Sequence, residues 1–374
     1  MNMSIVKQSL EESAQDYDRL KELKAFDGTK AGVKGIVDSG ISKVPKIFIR
    51  PPEELSEEST TDLEVPVIDL GGIGLEDQRK KIVNEVKQAS KDWGFFQVVN
   101  HGIPLNVLDE MLDGIRKFHE QDVEVKQQFY SRDRSKKVNY ASNVDLYKSR
   151  AANWRDTLTV SLRTSDHLDP DELPEICRDS TTEYLSQTKK LGDTLFELLS
   201  EALGLKPGHL RAMDCAEGRT FVCHYYPPCP EPELTMGTSR HTDPAFLTIV
   251  LQDEIGGLQV RRGNQYINIP PIHGGLVINI GDMLQMVSND EFISADHRVV
   301  ANRRGPRISV ACFFTGAPQP GKIYGPVKEL LSEQYPARYK DFTVMEFMSN
   351  FFSKSLDKCN LDHFRLLEKE TITQ

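Results

Sequence analysis

Residues 245–280, AFLTIVLQDEIGGLQVRRGNQYINIPPIHGGLVINI, carry the punctuation that decides the fold. Four β-branched or aromatic runs, Ala245–Leu251, Gly257–Val260, Gln265–Ile269 and Leu276–Ile280, are separated by Gly, Pro, Asn or Asp. Those separators turn a chain most easily, so each run predicts a short strand. The pattern extends outward to Phe221–Tyr226 on one side and to His297–Val300 and Arg307–Phe314 on the other. Seven such runs in about 95 residues predict a sandwich or jelly roll, closed around whatever lies between its two sheets.

Chemistry-bearing residues fall inside this stretch. His241-Thr242-Asp243 sets an imidazole and a carboxylate two residues apart, which on a strand points both to one face. His297 follows 54 residues after Asp243. Two imidazoles and one carboxylate suit the facial triad of non-haem Fe(II) oxygenases, which leaves adjacent coordination positions open. Ten residues further on, Arg307-Ile308-Ser309 offers a guanidinium and a hydroxyl, again two apart. Such a fork can hold a carboxylate by charge-assisted hydrogen bonds. H-x-D alone recurs by chance, and a catalytic zinc site uses the same ligand types. A zinc hydrolase, however, has no need of a carboxylate clamp behind its metal. The conjunction favours an iron enzyme that takes 2-oxoglutarate.

Composition narrows the partners. A net charge of −10 and a pI near 5.5 argue against nucleic acid or an anionic membrane. Hydrophobic content of 39% and charged content of 27% fit an ordinary soluble globular protein. A length of 374 residues suggests two to three domains, but a single barrel with helical flanks is also allowed. No stretch approaches transmembrane length, and MNMSIVKQSLEESAQDYD at the start lacks the apolar core of a signal peptide. The six cysteines, at 177, 215, 223, 229, 312 and 359, contain no C-x-x-C pair and read as reduced thiols. A cytoplasmic monomer is expected.

Elsewhere the chain reads as helices and turns. Pro45, Pro51 and Pro52 are expected to end any helix, and the acidic run 53–64 to be a solvated linker. Val65–Leu70 and Gly94–Val99 read as strands. Apolar stripes predict three helices: Ile82, Val83, Val86, Ala89 and Trp93 in 76–93; Leu108, Met111, Leu112, Ile115 and Phe118; and Leu191, Leu195, Leu198, Leu199 and Ala202 in 183–205. The tail 326–374 reads as helix again. His101 is expected to fix the turn Asn100–Pro104. His119, His167, His209, His273 and His363 read as polar or loop residues, and Asp296 as facing away from His297.

On these motifs the chain resembles the plant 2-oxoglutarate-dependent dioxygenases over nearly its whole length. The resemblance rests on Val65–Asp69 (VPVID), Trp93–Gly102 (WGFFQVVNHG), His224–Pro230 (HYYPPCP), the H-x-D, Ile255–Val260 (IGGLQV), Asn279–Asp282 (NIGD) and Arg307–Ser309. Leu23–Gly35 (LKAFDGTKAGVKG) and Asn153–Thr157 (NWRDT) are similar to the subgroup of aminocyclopropane-carboxylate oxidase homologues, which includes a deacetoxyvindoline 4-hydroxylase-like type.

The resemblance implies an α+β fold: a double-stranded β-helix (jelly-roll, cupin-like) core over residues 216–325 with flanking α-helices. Residues 1–60 would be an N-terminal extension, 61–215 a mostly helical N-terminal dioxygenase region, and 326–374 a helical tail. It implies that His241, Asp243 and His297 bind Fe(II), and that Arg307 and Ser309 hold the distal carboxylate of 2-oxoglutarate. Tyr226 would donate its hydroxyl to the same co-substrate; the family usually has Asn where this chain has His224. The implied reaction consumes 2-oxoglutarate and O2, uses ascorbate as reductant and releases succinate and CO2. Hydroxylation is its default outcome; O-demethylation, desaturation and ring closure begin from the same hydrogen abstraction.

Val222, Phe313 and Thr315 alternate with the anchor residues on their strands and are candidate pocket-lining positions. Their character suggests a bulky, mostly apolar small molecule such as an alkaloid or flavonoid. Three readings compete. An ascorbate-dependent aminocyclopropane-carboxylate oxidase would lack the long extension before Val65. A non-catalytic small-molecule binder would have no use for an iron site. A zinc hydrolase would need no oxygen.

Overall fold

The computed structural model describes residues 18–55, 59–60, 63–162, 168–316, 319, 321–355 and 358–366. The first 17 residues and His167 lie outside them. Thirteen strands occur among the described residues: β1 (Ser59–Thr60), β2 (Val67–Asp69), β3 (Phe95–Val99), β4 (Val138–Ala141), β5 (Asp156–Leu162), β6 (Arg219–Tyr226), β7 (Met236–His241), β8 (Leu247–Gln252), β9 (Leu258–Arg262), β10 (Gln265–Asn268), β11 (Leu276–Ile280), β12 (His297–Val300) and β13 (Arg307–Phe314). They form an eight-stranded sheet, β2-β3-β11-β8-β13-β6-β5-β4, and a five-stranded sheet, β1-β10-β9-β12-β7. All pairings are antiparallel except β1 with β10 and β2 with β3. The jelly-roll expectation holds.

Helices cover the outer face of the large sheet. Three carry the stripes read from sequence: α3 (Glu76–Asp92), α4 (Leu105–Glu120) and α5 (Arg178–Ala202), preceded by α1 (Arg19–Thr29) and α2 (Gly32–Asp38). Ile82, Val86, Met111, Ile115, Leu195 and Leu199 are all buried at helical spacing. Each such side chain stabilises the fold by about 1.5–3 kcal/mol relative to exposure. Gly192 of α5 sits directly over Phe314; a Cβ there would stand 2.2 Å from the ring, so only glycine permits this approach.

Several expectations need correction. Helix α5 begins at Arg178, five residues before its predicted start, and stops at Ala202. Residues 61–215 contribute β4 and β5 besides their helices. The acidic run is not simply a linker: Pro52 opens a one-turn helix, as its missing N–H permits at a helix start, and Ser59–Thr60 pairs with Tyr266–Ile267. Strand β7 was not expected, because MGTSRH lacks a β-branched or aromatic run; its partner β12 holds it in the sheet. Among the described residues of the tail there is one α-helix, α6 (Val344–Ser353), and the rest is mostly irregular. His119 is not in a polar or loop setting: it is fully buried on α4, stacked on Tyr225 at 5.0 Å. His101 does fix its turn: Nδ1 accepts from Ile103 N and Nε2 meets the Gly274 carbonyl at 2.9 Å.

Candidate active site

The inner face of the large sheet is set by register. Thr157, His224 and Ser309 lie side by side across β5, β6 and β13, and Arg307 lies opposite Tyr226. Alternation sends Phe221, Cys223 and Tyr225 outward to the helices and Val222, His224 and Tyr226 inward. The five-stranded sheet faces this surface. On it His241, the last residue of β7, pairs across the ladder with His297, the first of β12.

That pairing brings the two imidazoles together, with ring centroids 4.2 Å apart. Nδ1 of His241 lies 2.8 Å from the Ser239 carbonyl, and Nδ1 of His297 3.1 Å from the Ala295 carbonyl. A carbonyl only accepts, so each Nδ1 carries a proton, and each Nε2 is the nitrogen turned toward Asp243. Asp243 sits two residues past the end of β7, in the turn before β8, rather than on a strand as the spacing had suggested. Its Oδ2 accepts from Thr248 Oγ1 and Asn279 Nδ2, both at 2.7 Å. Its Oδ1 is buried, accepts no hydrogen bond among the described residues, and stands 3.5 Å from Nε2 of both histidines.

Electrostatics fit that gap. Burial foremost, with His297 beside it, pushes His241 down to about 3, which keeps it neutral. Burial alone would raise Asp243, but the two histidines, His297 first, hold its carboxyl well below the usual carboxylate range. Two imidazole nitrogens and an orphaned anionic oxygen, all within 4.8 Å of one another, have the chemistry of a divalent-metal site, and iron(II) fits them.

A second polar constellation lies on β13. The buried Arg307 guanidinium donates from Nε to the Gly256 carbonyl (2.7 Å), from Nη1 to Ser309 Oγ (2.9 Å) and from Nη2 to Gln252 Oε1 (3.1 Å). Three of its five donors are thereby directed, which fixes the fork and leaves two for a ligand. Gly256 has φ +78°, a conformation that suits glycine and turns its carbonyl into reach. Tyr226 lies under the same guanidinium at 4.9 Å, and its hydroxyl meets Thr238 Oγ1 at 3.1 Å. Gly237 makes room for this ring, since a Cβ would stand 2.8 Å from it. His224 points inward, its Nδ1 3.0 Å from Thr157 Oγ1. Burial foremost, with the positive charges of Arg155 and Arg307 nearby, keeps it unprotonated.

The structure thus gathers His241, Asp243 and His297 at one point and Arg307, Ser309 and Tyr226 on the neighbouring sheet face. Val222 and Phe313 are partly exposed on that same inner face. Thr315 lies past the end of β13, and its hydroxyl donates to the Gly218 carbonyl at 2.9 Å. Asp296 sides with Arg240 and Arg261, away from the histidines. Sequence reasoning missed Thr248, Asn279 and Gln252. Asn279 had a signal, being a lone amide within the apolar run LVINI.

Comparison with known proteins agrees with this geometry. Residues 218–316 match the 2OG-Fe(II) oxygenase superfamily, and residues 65–176 a family described as the N-terminal region of non-haem dioxygenases in morphine synthesis. The chain is 51% identical to 1-aminocyclopropane-1-carboxylate oxidase homolog 3 of Arabidopsis thaliana over 361 residues, 94% of this chain and 98% of that one. It is 52% identical to deacetoxyvindoline 4-hydroxylase of Catharanthus roseus over 363 residues, covering 94% and 90%. A crystal structure of JOX2 in complex with 2OG, Fe and JA is similar with a TM-score of 0.79 at 29% identity, covering 90% of this chain and 98% of JOX2. No helix among the described residues is long and apolar enough to cross a membrane. A metal-shaped gap beside a fixed guanidinium, on a jelly roll shared with relatives half-identical along nearly the whole chain, places this protein in the 2OG-Fe(II) oxygenase superfamily, as a 2-oxoglutarate- and iron(II)-dependent dioxygenase.

Proposed function

We propose that the protein oxidises a bulky, mostly apolar small molecule, with hydroxylation as its default outcome. His241, Asp243 and His297 hold the iron; Arg307, Ser309 and Tyr226 hold the distal carboxylate of 2-oxoglutarate. Iron with 2-oxoglutarate and O2 supplies the oxidising chemistry, and the chain supplies the ligands that position it. The observation that carries this reading is Asp243 Oδ1, buried without a donor among the described residues and equidistant from two histidine nitrogens at 3.5 Å. Thr248 and Asn279 aim that oxygen by holding its twin. Val222 and Phe313 give the adjacent wall its apolar character. One relative is named for hydroxylation of deacetoxyvindoline, which makes hydroxylation the first outcome to look for.

The names of several relatives favour a second reading, an ascorbate-dependent oxidase of the aminocyclopropane-carboxylate kind. Succinate formation separates the two. Purified protein with Fe(II), ascorbate and 2-oxoglutarate is assayed with and without a panel of alkaloids, flavonoids and phenolics, beside His241→Ala. Succinate that rises with one compound and disappears in the variant is the expected result. Iron-loaded protein that forms no succinate, yet turns over with ascorbate alone, overturns the first reading.

A further inference from the structure

Most buried arginines here are well supplied with acceptors. Arg307 has three; Arg50 bonds to Glu54, Asn153 and the Ala151 carbonyl; Arg298 bonds to Gln259 and lies over the Tyr266 ring. Arg155 differs. It is 6% exposed, its side chain makes one hydrogen bond, from Nη1 to Thr238 Oγ1 at 2.6 Å, and its Nε is buried without a partner among the described residues. No described carboxylate forms a salt bridge with it. A buried cation without counter-charge is costly, because desolvation is not offset by any ion pair.

Strand β5 sets the direction of this side chain. Asp156 faces out of the cavity, where it accepts from the backbone of Val33 and Lys34. Its neighbours Arg155 and Thr157 therefore face inward, and Thr157 touches His224. Arg155 reaches across to β7, and the hydroxyl of Thr238 that it holds also meets Tyr226. Its guanidinium thus lies against β7, the strand that ends in His241, and is linked through Thr238 and Tyr226 to Arg307.

We propose that Arg155 anchors a carboxylate in this cavity, distinct from the one assigned to Arg307. The proposal rests on the iron and 2-oxoglutarate reading above. Two sources share this chemistry: an acid group on the organic substrate, or the metal-side carboxylate of 2-oxoglutarate. Arg155 supplies the counter-charge and donors; Thr238 fixes the guanidinium.

The test uses the full chain loaded with Mn(II), which occupies such ligands without turnover, in wild type, Arg155→Gln and Arg155→Lys. One arm titrates 2-oxoglutarate. The other titrates 4-phenylbutyrate and its methyl ester onto protein holding Mn(II) and 2-oxoglutarate. If the substrate's acid is the partner, wild type prefers acid to ester at least tenfold, Arg155→Gln erases the preference, and 2-oxoglutarate affinity stays within twofold. If the partner is 2-oxoglutarate, its affinity falls at least tenfold in Arg155→Gln, with Arg155→Lys intermediate. Changes below twofold in both arms overturn the proposal and leave Arg155 a pin for Thr238. Should Arg155→Gln not fold, Arg155→Lys, which keeps the charge but loses the planar fork, supplies both arms with several-fold losses expected. Wild type that binds no 2-oxoglutarate is instead a failure of the proposed function, and the acid-against-ester titration repeated on protein holding Mn(II) alone still reads Arg155.

Discussion

Strand β6 presents two unlike surfaces one residue apart. Phe221, Cys223 and Tyr225 face the helices and are fully or almost fully buried among apolar neighbours. Burial lifts the Cys223 thiol well above its ordinary range, so that surface is chemically quiet. Val222, His224 and Tyr226 face the cavity, beside groups whose bonding is incomplete: Asp243 Oδ1, Gln252 Nε2 and Asn279 Oδ1 have no partner among the described residues. The outer surface holds the sheet together by close packing. The inner one keeps polar atoms waiting, at a cost in stability that a binding site carries. Removing a side chain from one surface should therefore change folding, and from the other, ligand affinity.

The sharpest break is Phe221→Ala. It should cost about 3–5 kcal/mol of stability, read by chemical denaturation, while folded protein binds 2-oxoglutarate as before. Arg307→Met on the inner surface should do the reverse. Loss of a charged hydrogen-bonding fork is worth about 1.5–3 kcal/mol, so 2-oxoglutarate binding weakens roughly 10- to 150-fold, with little change in the unfolding midpoint. An equal loss of stability in the two variants would erase the distinction.

The outer surface also holds a titrating group. Burial, with the charge of Lys126 behind it, pushes His119 down to about 3 from an ordinary 6.5. Between those values the unfolded chain binds the extra proton, so stability falls as pH falls. At pH 5 the loss from this residue is about 2 kcal/mol, and His119→Phe should flatten the decline in unfolding free energy between pH 7 and pH 5. The smallest effect belongs to Asn279→Ala. Asp243 Oδ2 then keeps only Thr248, and Mn(II) affinity by calorimetry should drop about tenfold.

Much of this was legible in the chain because strands with apolar runs announce themselves. The runs at 276–280 and 307–314 were read at their true limits, for Gly275, Gly281 and Pro306 bound them. Strand β7 was not, since Met236–His241 is an edge strand made largely of small and polar residues whose ladder among the described residues is with β12 alone. The gathering of His241, Asp243 and His297 followed from residue types and spacing. What orients them did not: Thr248 and Asn279 look like ordinary strand residues until the fold sets them against Asp243. Arg155 was hidden for the same reason. In sequence it is one charge beside Asp156, whereas in space the two point to opposite sides of the sheet.

That opposition ties the leading segment of the described chain to the wall of the site. The carboxylate of Asp156 is fully buried, and it is held by Val33 N and Lys34 N at 2.8 Å each and by the hydroxyl of Ser142. The segment that begins the described chain is therefore clamped to the very strand whose next residues line the cavity. Trimming the protein back to Val65, where the recognisable domain starts, would strip two donors from a buried anion and loosen β5 at Arg155 and Thr157. The leading segment behaves as a keystone: a shortened gene product would be expected to lose grip on its ligands before it lost its jelly roll.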